Sequence, residues 1–171
     1  DCELSRGLGD VYKRQGFIAV IGNPPFQNQL QETTVRPIEE TQKLREKWNV
    51  NAGPYADTAS YFLLVALSML GPKGKCLLIQ PQSILAAVDA KPIRDKLNQE
   101  AALEGIWIGG PDIFEAGVNV CAPLLSKDLR QSPADIWIGT EITKLQKQLN
   151  HGDNWASAMA IACLLYTSDA A

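Results

Sequence analysis

Phe17-Ile18-Ala19-Val20-Ile21-Gly22-Asn23-Pro24-Pro25-Phe26 is the stretch that decides how this 171-residue chain is read. Its first six residues are an uncharged apolar run with the composition of a strand. The two prolines end that strand. Each fixes φ and removes a backbone donor, so the carbonyls of Asn23 and Pro24 can point out of the turn with no local N–H to take them. An amine can fill that vacancy. The Asn23 side-chain oxygen is a second acceptor, and Phe26 offers a ring face on which a planar group can stack. An ordinary strand-to-loop turn also favours Asn and Pro, so the surroundings of the turn matter.

Residues 27–48 are polar and charged, with Ile38, Leu44 and Trp48 as the main apolar positions, and read as a loosely helical insertion ending in a loop over residues 49–54. Asp57 makes a good N-cap for the apolar stretch 58–70, a buried helix that Gly71-Pro72 should stop. Cys76-Leu77-Leu78-Ile79-Gln80 is a short continuous run of the kind a parallel strand buried on both faces shows, and Pro81 ends it. A helix is expected over residues 92–102, with Ile93 and Leu97 one turn apart facing the sheet and Arg94 and Lys96 on a solvated side. Pro81 and Ser83 should do no more than shape the loop before it. Further strands are expected at residues 105–108, 118–125 and 135–139, the second at an edge or a bulge because of Pro123. Residues 141–150 read as a short amphipathic helix. Strands alternating with helices across short turns predict a doubly wound α/β sheet. The first strand is followed by neither a Gly-x-Gly nor an acidic residue at cofactor-ribose spacing.

The two ends of the chain stand apart. Asp10-Val11-Tyr12-Lys13-Arg14-Gln15 can be encoded by GATGTGTATAAGAGACAG, whose reverse complement, read from its second base, encodes the sequence found from Cys163 to Ser168. An inverted repeat translated at both ends resembles a sequencing-library transposon adapter. Residues 1–15 and 163–171 are therefore expected to be non-native tails, leaving residues 16–162 as an internal piece of a longer reading frame. Setting aside three basic and four acidic residues in those tails leaves 13 basic against 15 acidic. That is not the balance of a nucleic-acid-binding surface, although an enzyme gripping DNA through a separate recognition domain can carry a near-neutral core. Cys76 and Cys121, both inside apolar runs, read as buried reduced thiols, which implies a cytoplasmic setting. No apolar run approaches the length of a membrane span. No metal-ligand cluster is expected, and the one histidine, His151, sits in a polar loop.

The strand ending in Asn23-Pro24-Pro25-Phe26 resembles the catalytic motif of S-adenosylmethionine-dependent amino-methyltransferases, above all the N6-adenine DNA methyltransferases of restriction-modification systems. Three more features match that family in order: the aromatic helix after Asp57, the strand 74–80 with Pro81-Gln82-Ser83-Ile84-Leu85 and its following helix, and Phe114-Glu115-Ala116-Gly117-Val118-Asn119-Val120. The likeness extends to about Leu125. It implies a partial doubly wound, Rossmann-like methyltransferase sheet, with residues 16–130 as the C-terminal half of the catalytic domain. Residues 131–162 would then begin a following segment leading toward a DNA-recognition domain. The implied cofactor is S-adenosylmethionine, held by residues upstream of this stretch, so none of its ligands can be named. The implied partner is double-stranded DNA with the target adenine flipped out, and a fused or associated restriction nuclease belongs to the same class of system. The implied catalytic residues are Asn23, Pro24, Pro25 and Phe26, with Phe26 and Phe114 against the substrate base. Phe114 reads equally well as a core phenylalanine. One departure is Ile18, where many members carry a non-catalytic acidic residue.

The chemistry asks for such a turn. Adenine N6 is a poor nucleophile because its lone pair is delocalised into the ring. Accepting one N–H on the Asn23 side chain and the other on the Pro24 carbonyl favours a pyramidal nitrogen whose lone pair points at the methyl donor. This is preorganised electrostatic stabilisation with the signs of an oxyanion hole reversed. Because N6 lies inside the duplex stack, the base has to be flipped out onto an aromatic ring. Two alternatives stay open on the sequence: the same grip applied to a protein glutamine or an rRNA amino group, and a non-catalytic α/β module that binds nucleic acid or protein.

Overall fold

The structure, a computed structural model, describes residues 16–26, 38–53, 56–110, 113, 118–129, 133–139, 147–149 and 154–168. The opening apolar run forms β1 (Phe17–Gly22), which lies parallel to β2 (Leu70–Leu78), Val20 beside Cys76 and Gly22 beside Leu78. Between them the chain forms α1 (Ile38–Trp48) and α2 (Thr58–Met69). Asn49 ends α1 in the left-handed region at φ 50°, with its N–H donating to Glu46 and that of Val50 to Arg45. That pair of bonds takes up two orphaned helix carbonyls. At the start of α2 the Asp57 carboxylate accepts from the Ala59 N–H at 2.8 Å, as the N-cap reading expects. Gly71-Pro72 does not form a separate stop. The helix ends at Met69 and β2 begins at Leu70, with Lys73 at φ 61° beside a shift in the β1–β2 register.

After Ile79 come β3 (Gln80–Pro81), two 3₁₀ turns (Gln82–Leu85 and Val88–Ala90) and α3 (Lys91–Glu100). Then follow β4 (Ala102–Ile108), β5 (Val120–Ser126), β6 (Ala134–Ile138), β7 (Lys147–Leu149) and α4 (Asn154–Ser168). The strands make one mixed sheet in the order β1-β2-β5-β4-β6-β7, with β3 also paired to β5. β1, β2, β4 and β6 run one way, and β5 and β7 the other. This is a mixed α/β sheet with flanking helices, in keeping with the partial Rossmann-like sheet expected from the sequence.

Three local expectations change. Pro123 is not at an edge, because β5 lies between β4 and the β2–β3 pair. The proline is tolerated there because the neighbouring strand is itself interrupted at Ile79, so the missing N–H falls at a break in the ladder. Lys147–Leu149 is not part of a helix but an edge strand paired with β6, where backbone pairing overrides local propensity. Arg94 is not solvated. Its guanidinium is buried and donates to the carbonyls of Ile84 at 3.0 Å and Ala87 at 2.9 Å, tying the 3₁₀ turns to α3. Lys96 pairs with Glu100 one turn on, at 2.9 Å.

The core lies on one face of the sheet. Cys76, Leu78, Cys121, Leu125, Ile106, Ile108 and Ile136 face α2 and α3, and α4 joins that layer through Trp155, whose indole donates to Asn98 at 3.0 Å. Ile93 and Leu97 are fully buried in it, as their spacing predicts. On the opposite face Phe17 and Ile21 are exposed, and Leu77, Leu124, Trp107 and Trp137 are half-buried. The sequence reading did not foresee α4. It buries Trp155, Ala158 and Ala162 and runs on to Ser168, with Cys163 and Leu164 exposed. Residues 1–15 lie outside the described residues.

Candidate functional site

The last bond tying β1 to its neighbour is the Gly22 carbonyl accepting the Ile79 N–H at 3.0 Å. Immediately beyond it Asn23-Pro24-Pro25-Phe26 leaves the sheet, because neither proline can donate to a ladder. Asn23 and Pro25 are exposed, and Pro24 and Phe26 are half-buried. The turn therefore stands at the carboxyl end of a parallel strand, where open α/β sheets place their ligands.

Beside the turn is an open cleft of about 280 Å³. Val20, Gly22, Asn23, Pro24 and Leu78 form one wall, and Phe62, Val65, Ala66 and Met69 of α2 form the other. The α2 side chains arrive at helical spacing, one turn apart, so a single face of the helix lines the cleft. Among the described lining residues Asn23 alone has a polar side chain, and none is titratable. The described lining thus offers hydrogen-bonding groups at Asn23 and Pro24 and an otherwise apolar surface. Among the described residues no group of three or more His, Cys, Asp or Glu is placed to hold a metal ion. No described helix is long and apolar enough to cross a membrane.

The other segments picked out in the sequence converge on the same end of the sheet. Gln80 lies just past the Gly22–Ile79 bond and is completely buried. Its amide nitrogen donates to the Ile79 carbonyl at 3.0 Å, and its oxygen has no partner among the described residues. Gln82 donates through its backbone to Asn119 at 2.9 Å and through its side chain to Val120 at 3.1 Å. This clamps the end of the 114–120 segment beside β3. Phe114 itself lies outside the described residues, so its placement against the turn is not given. Pro81 is buried in β3 and Ser83 is exposed on the first 3₁₀ turn, in keeping with a shaping role.

The thiols do not enter the site. Burial pushes the Cys76 thiol up to about 11, against a smaller downward pull from the Leu125 backbone, and pushes Cys121 higher still. Both are neutral packing groups near pH 7. The sequence reading overlooked Phe62, Met69 and Gln80. Phe62 and Met69 sit in a helix that is apolar nearly all round, so no pattern separated cleft-lining positions from core positions.

The sequence model of the Eco57I restriction-modification methylase family matches residues 3–114. No curated protein matches. Among solved structures, a Listeria monocytogenes protein described as a class I S-adenosylmethionine-dependent methyltransferase aligns over 88% of this chain and 42% of its own, with TM-score 0.58 and 15% identity. The type IIL restriction-modification enzyme MmeI, solved in complex with DNA, aligns over 82% of this chain and 19% of its own, with TM-score 0.58 and 15% identity. The DrdV protein of a DrdV–DNA complex aligns over 89% and 19%, with TM-score 0.57 and 17% identity. The chain thus spans less than half the length of these structural relatives.

Proposed function

Because this chain belongs to the Eco57I restriction-modification methylase family, we propose that it is part of an enzyme that moves a methyl group from S-adenosylmethionine to adenine N6 in DNA. The observation that carries the reading is the Asn23-Pro24 turn, exposed at the carboxyl end of β1 and forming one wall of an apolar cleft. In this reading the Asn23 side-chain oxygen and the Pro24 carbonyl each accept one N–H of the exocyclic amine. The two bonds pull the nitrogen toward a pyramidal geometry and expose its lone pair. Phe26, half-buried beside them, carries the flipped base by stacking. Phe114 is assigned the second aromatic contact.

The bound cofactor would supply an electrophilic methyl group. The described residues do not fit the whole of that group: the described cleft lining has no carboxylate for ribose hydroxyls and no cationic side chain for an amino-acid carboxylate. We assign its binding to residues of the parent protein outside β1–β7. Two features support a missing half. Among the described residues β1 is an edge strand, and the sheet face opposite α2 is exposed at Phe17 and Ile21.

DNA as partner rests on the family and on relatives solved with DNA. A nuclease fused to or acting with the methyltransferase suits the same systems, and residues 131–162 are assigned to the passage toward a recognition domain. The test is methylation of duplex DNA by the full-length parent with methyl-labelled S-adenosylmethionine, followed by digestion to nucleosides. Label in N6-methyladenine is expected. Label confined to cytosine, to rRNA or to a protein glutamine would overturn the assignment.

A further inference from the structure

β2 and β3 keep one register along β5: Cys76 stands opposite Leu125, Leu77 opposite Leu124, Gln80 opposite Cys121 and Pro81 opposite Val120, with no residue gained or lost between them. The line runs on through Gln82, whose N–H donates to the Asn119 carbonyl at 2.9 Å. Pro81 therefore does not end the pairing with β5. What it withholds is on its other side. Successive residues of a strand turn their backbone groups to alternate neighbours. Gln82 points to β5, and the Ile79 N–H points to β1, where it meets the Gly22 carbonyl at 3.0 Å. The nitrogen of residue 81 is thus turned toward β1 as well.

In a parallel pair each hydrogen-bonding residue donates to the residue before its partner and accepts from the residue after it. Gly22, paired with Leu78, accepts from Ile79 in that way. The next residue to do so along the same line is Pro24. Its N–H would go to the Ile79 carbonyl, and its carbonyl would receive the N–H of residue 81. Neither N–H exists, because both positions are proline. The two gaps are treated differently. The Ile79 carbonyl takes the side-chain amide of the buried Gln80 at 3.0 Å, in place of the Pro24 N–H. For the Pro24 carbonyl, residue 81 brings no substitute. We propose that Pro81 is a positioning residue for methyl transfer: by withholding the last N–H of the β1–β2 ladder, it keeps the Pro24 carbonyl turned to the cleft that Pro24 lines and available to the substrate amine. This rests on the proposed function, in which that carbonyl accepts one N–H of adenine N6. An N–H at residue 81 would draw the carbonyl into the plane of the sheet and prolong β1 through the turn.

The experiment restores the N–H. Pro81→Ala in the full-length parent, assayed on a duplex containing the target adenine with methyl-labelled S-adenosylmethionine, should lower kcat by about tenfold or more while KM and the melting curve stay near those of the wild type. A crystal structure of that variant should show the new nitrogen within about 3.2 Å of the Pro24 carbonyl oxygen. Pro81→Val supplies the same N–H with a side chain closer to proline in size, should the alanine variant fail to fold. Lactic acid incorporated at position 81 carries the methyl side chain of alanine with an ester oxygen instead of the N–H, and should restore the rate. A full-rate Pro81→Ala enzyme, or a crystal structure in which the new N–H does not meet Pro24, would overturn the proposal while leaving adenine methylation by the parent intact. Equal loss of rate in the alanine and lactic acid proteins would also overturn it, as the sign of a purely structural proline. A wild-type parent that methylates no adenine would overturn the proposed function on which it rests.

Discussion

Replacing Asn23 by alanine in the full-length parent should nearly abolish methyl transfer without unfolding the protein. Asn23 is exposed, and its side chain fills no part of the buried core. Its loss should therefore move stability by less than about 0.5 kcal/mol. Against that stands its role as one of two acceptors for an amine whose N–H groups become more acidic as the nitrogen attacks. Removing one such preorganised partner costs about 2 to 4 kcal/mol in the transition state, roughly a hundred- to thousandfold in rate. The interaction strengthens only as the amine rehybridises, so kcat should fall much more than KM rises. Phe26→Ala should differ: stacking is worth about 1 to 3 kcal/mol and acts in the ground state too, so duplex affinity should weaken along with rate. The assay is steady-state methylation of a duplex containing the target adenine, with binding of the same duplex and a melting curve for each variant. An Asn23→Ala protein that melts normally yet keeps more than about a tenth of wild-type kcat would refute the assignment of this turn as the amine grip.

Arg94→Ala should lower stability by about 2 to 4 kcal/mol, since two buried carbonyls lose charge-assisted bonds while the cost of burying the guanidinium is recovered; urea unfolding at pH 7 measures this, and a change below about 0.5 kcal/mol would count against the tie between α3 and the 3₁₀ turns. Ending the chain after Ala162 should leave stability within about 0.5 kcal/mol of the whole, because Cys163 and Leu164 are exposed. Trp155→Ala, in contrast, should cost about 3 to 5 kcal/mol by opening a cavity, and the same unfolding curves separate the two. Burial raises both thiol pKa values, so above pH 9 the unfolded chain releases protons that the folded chain keeps. Stability should fall between pH 9 and about 11, by up to about 1.4 kcal/mol per pH unit for each thiol. Cys121→Ala should flatten that slope, and equal slopes for the two proteins would contradict the burial account.

The features legible in the sequence were those set by neighbours along the chain. Proline geometry placed the end of β1 at Gly22, the Asp57 carboxylate placed the start of α2, and the four-residue spacing of Ile93 and Leu97 placed the buried stripe of α3. The turn at Asn23-Pro24-Pro25 could be placed for the same reason: two prolines that cannot donate to a ladder end the strand whatever lies across from it. Other features depended on what the chain meets far along its length. Arg94 looked solvated because nothing in its own helix shows that the carbonyls of Ile84 and Ala87 come within reach. Lys147–Leu149 became a strand because β6 offered an unpaired edge, and Pro123 could sit in a central strand only because the neighbouring strand breaks at Ile79. Phe62 and Met69 line the cleft only because β1 ends beside α2. Local rules fix what a residue can offer, and packing across the sheet decides which of those offers is met, because burial and backbone pairing are gained only between segments that the sequence keeps apart.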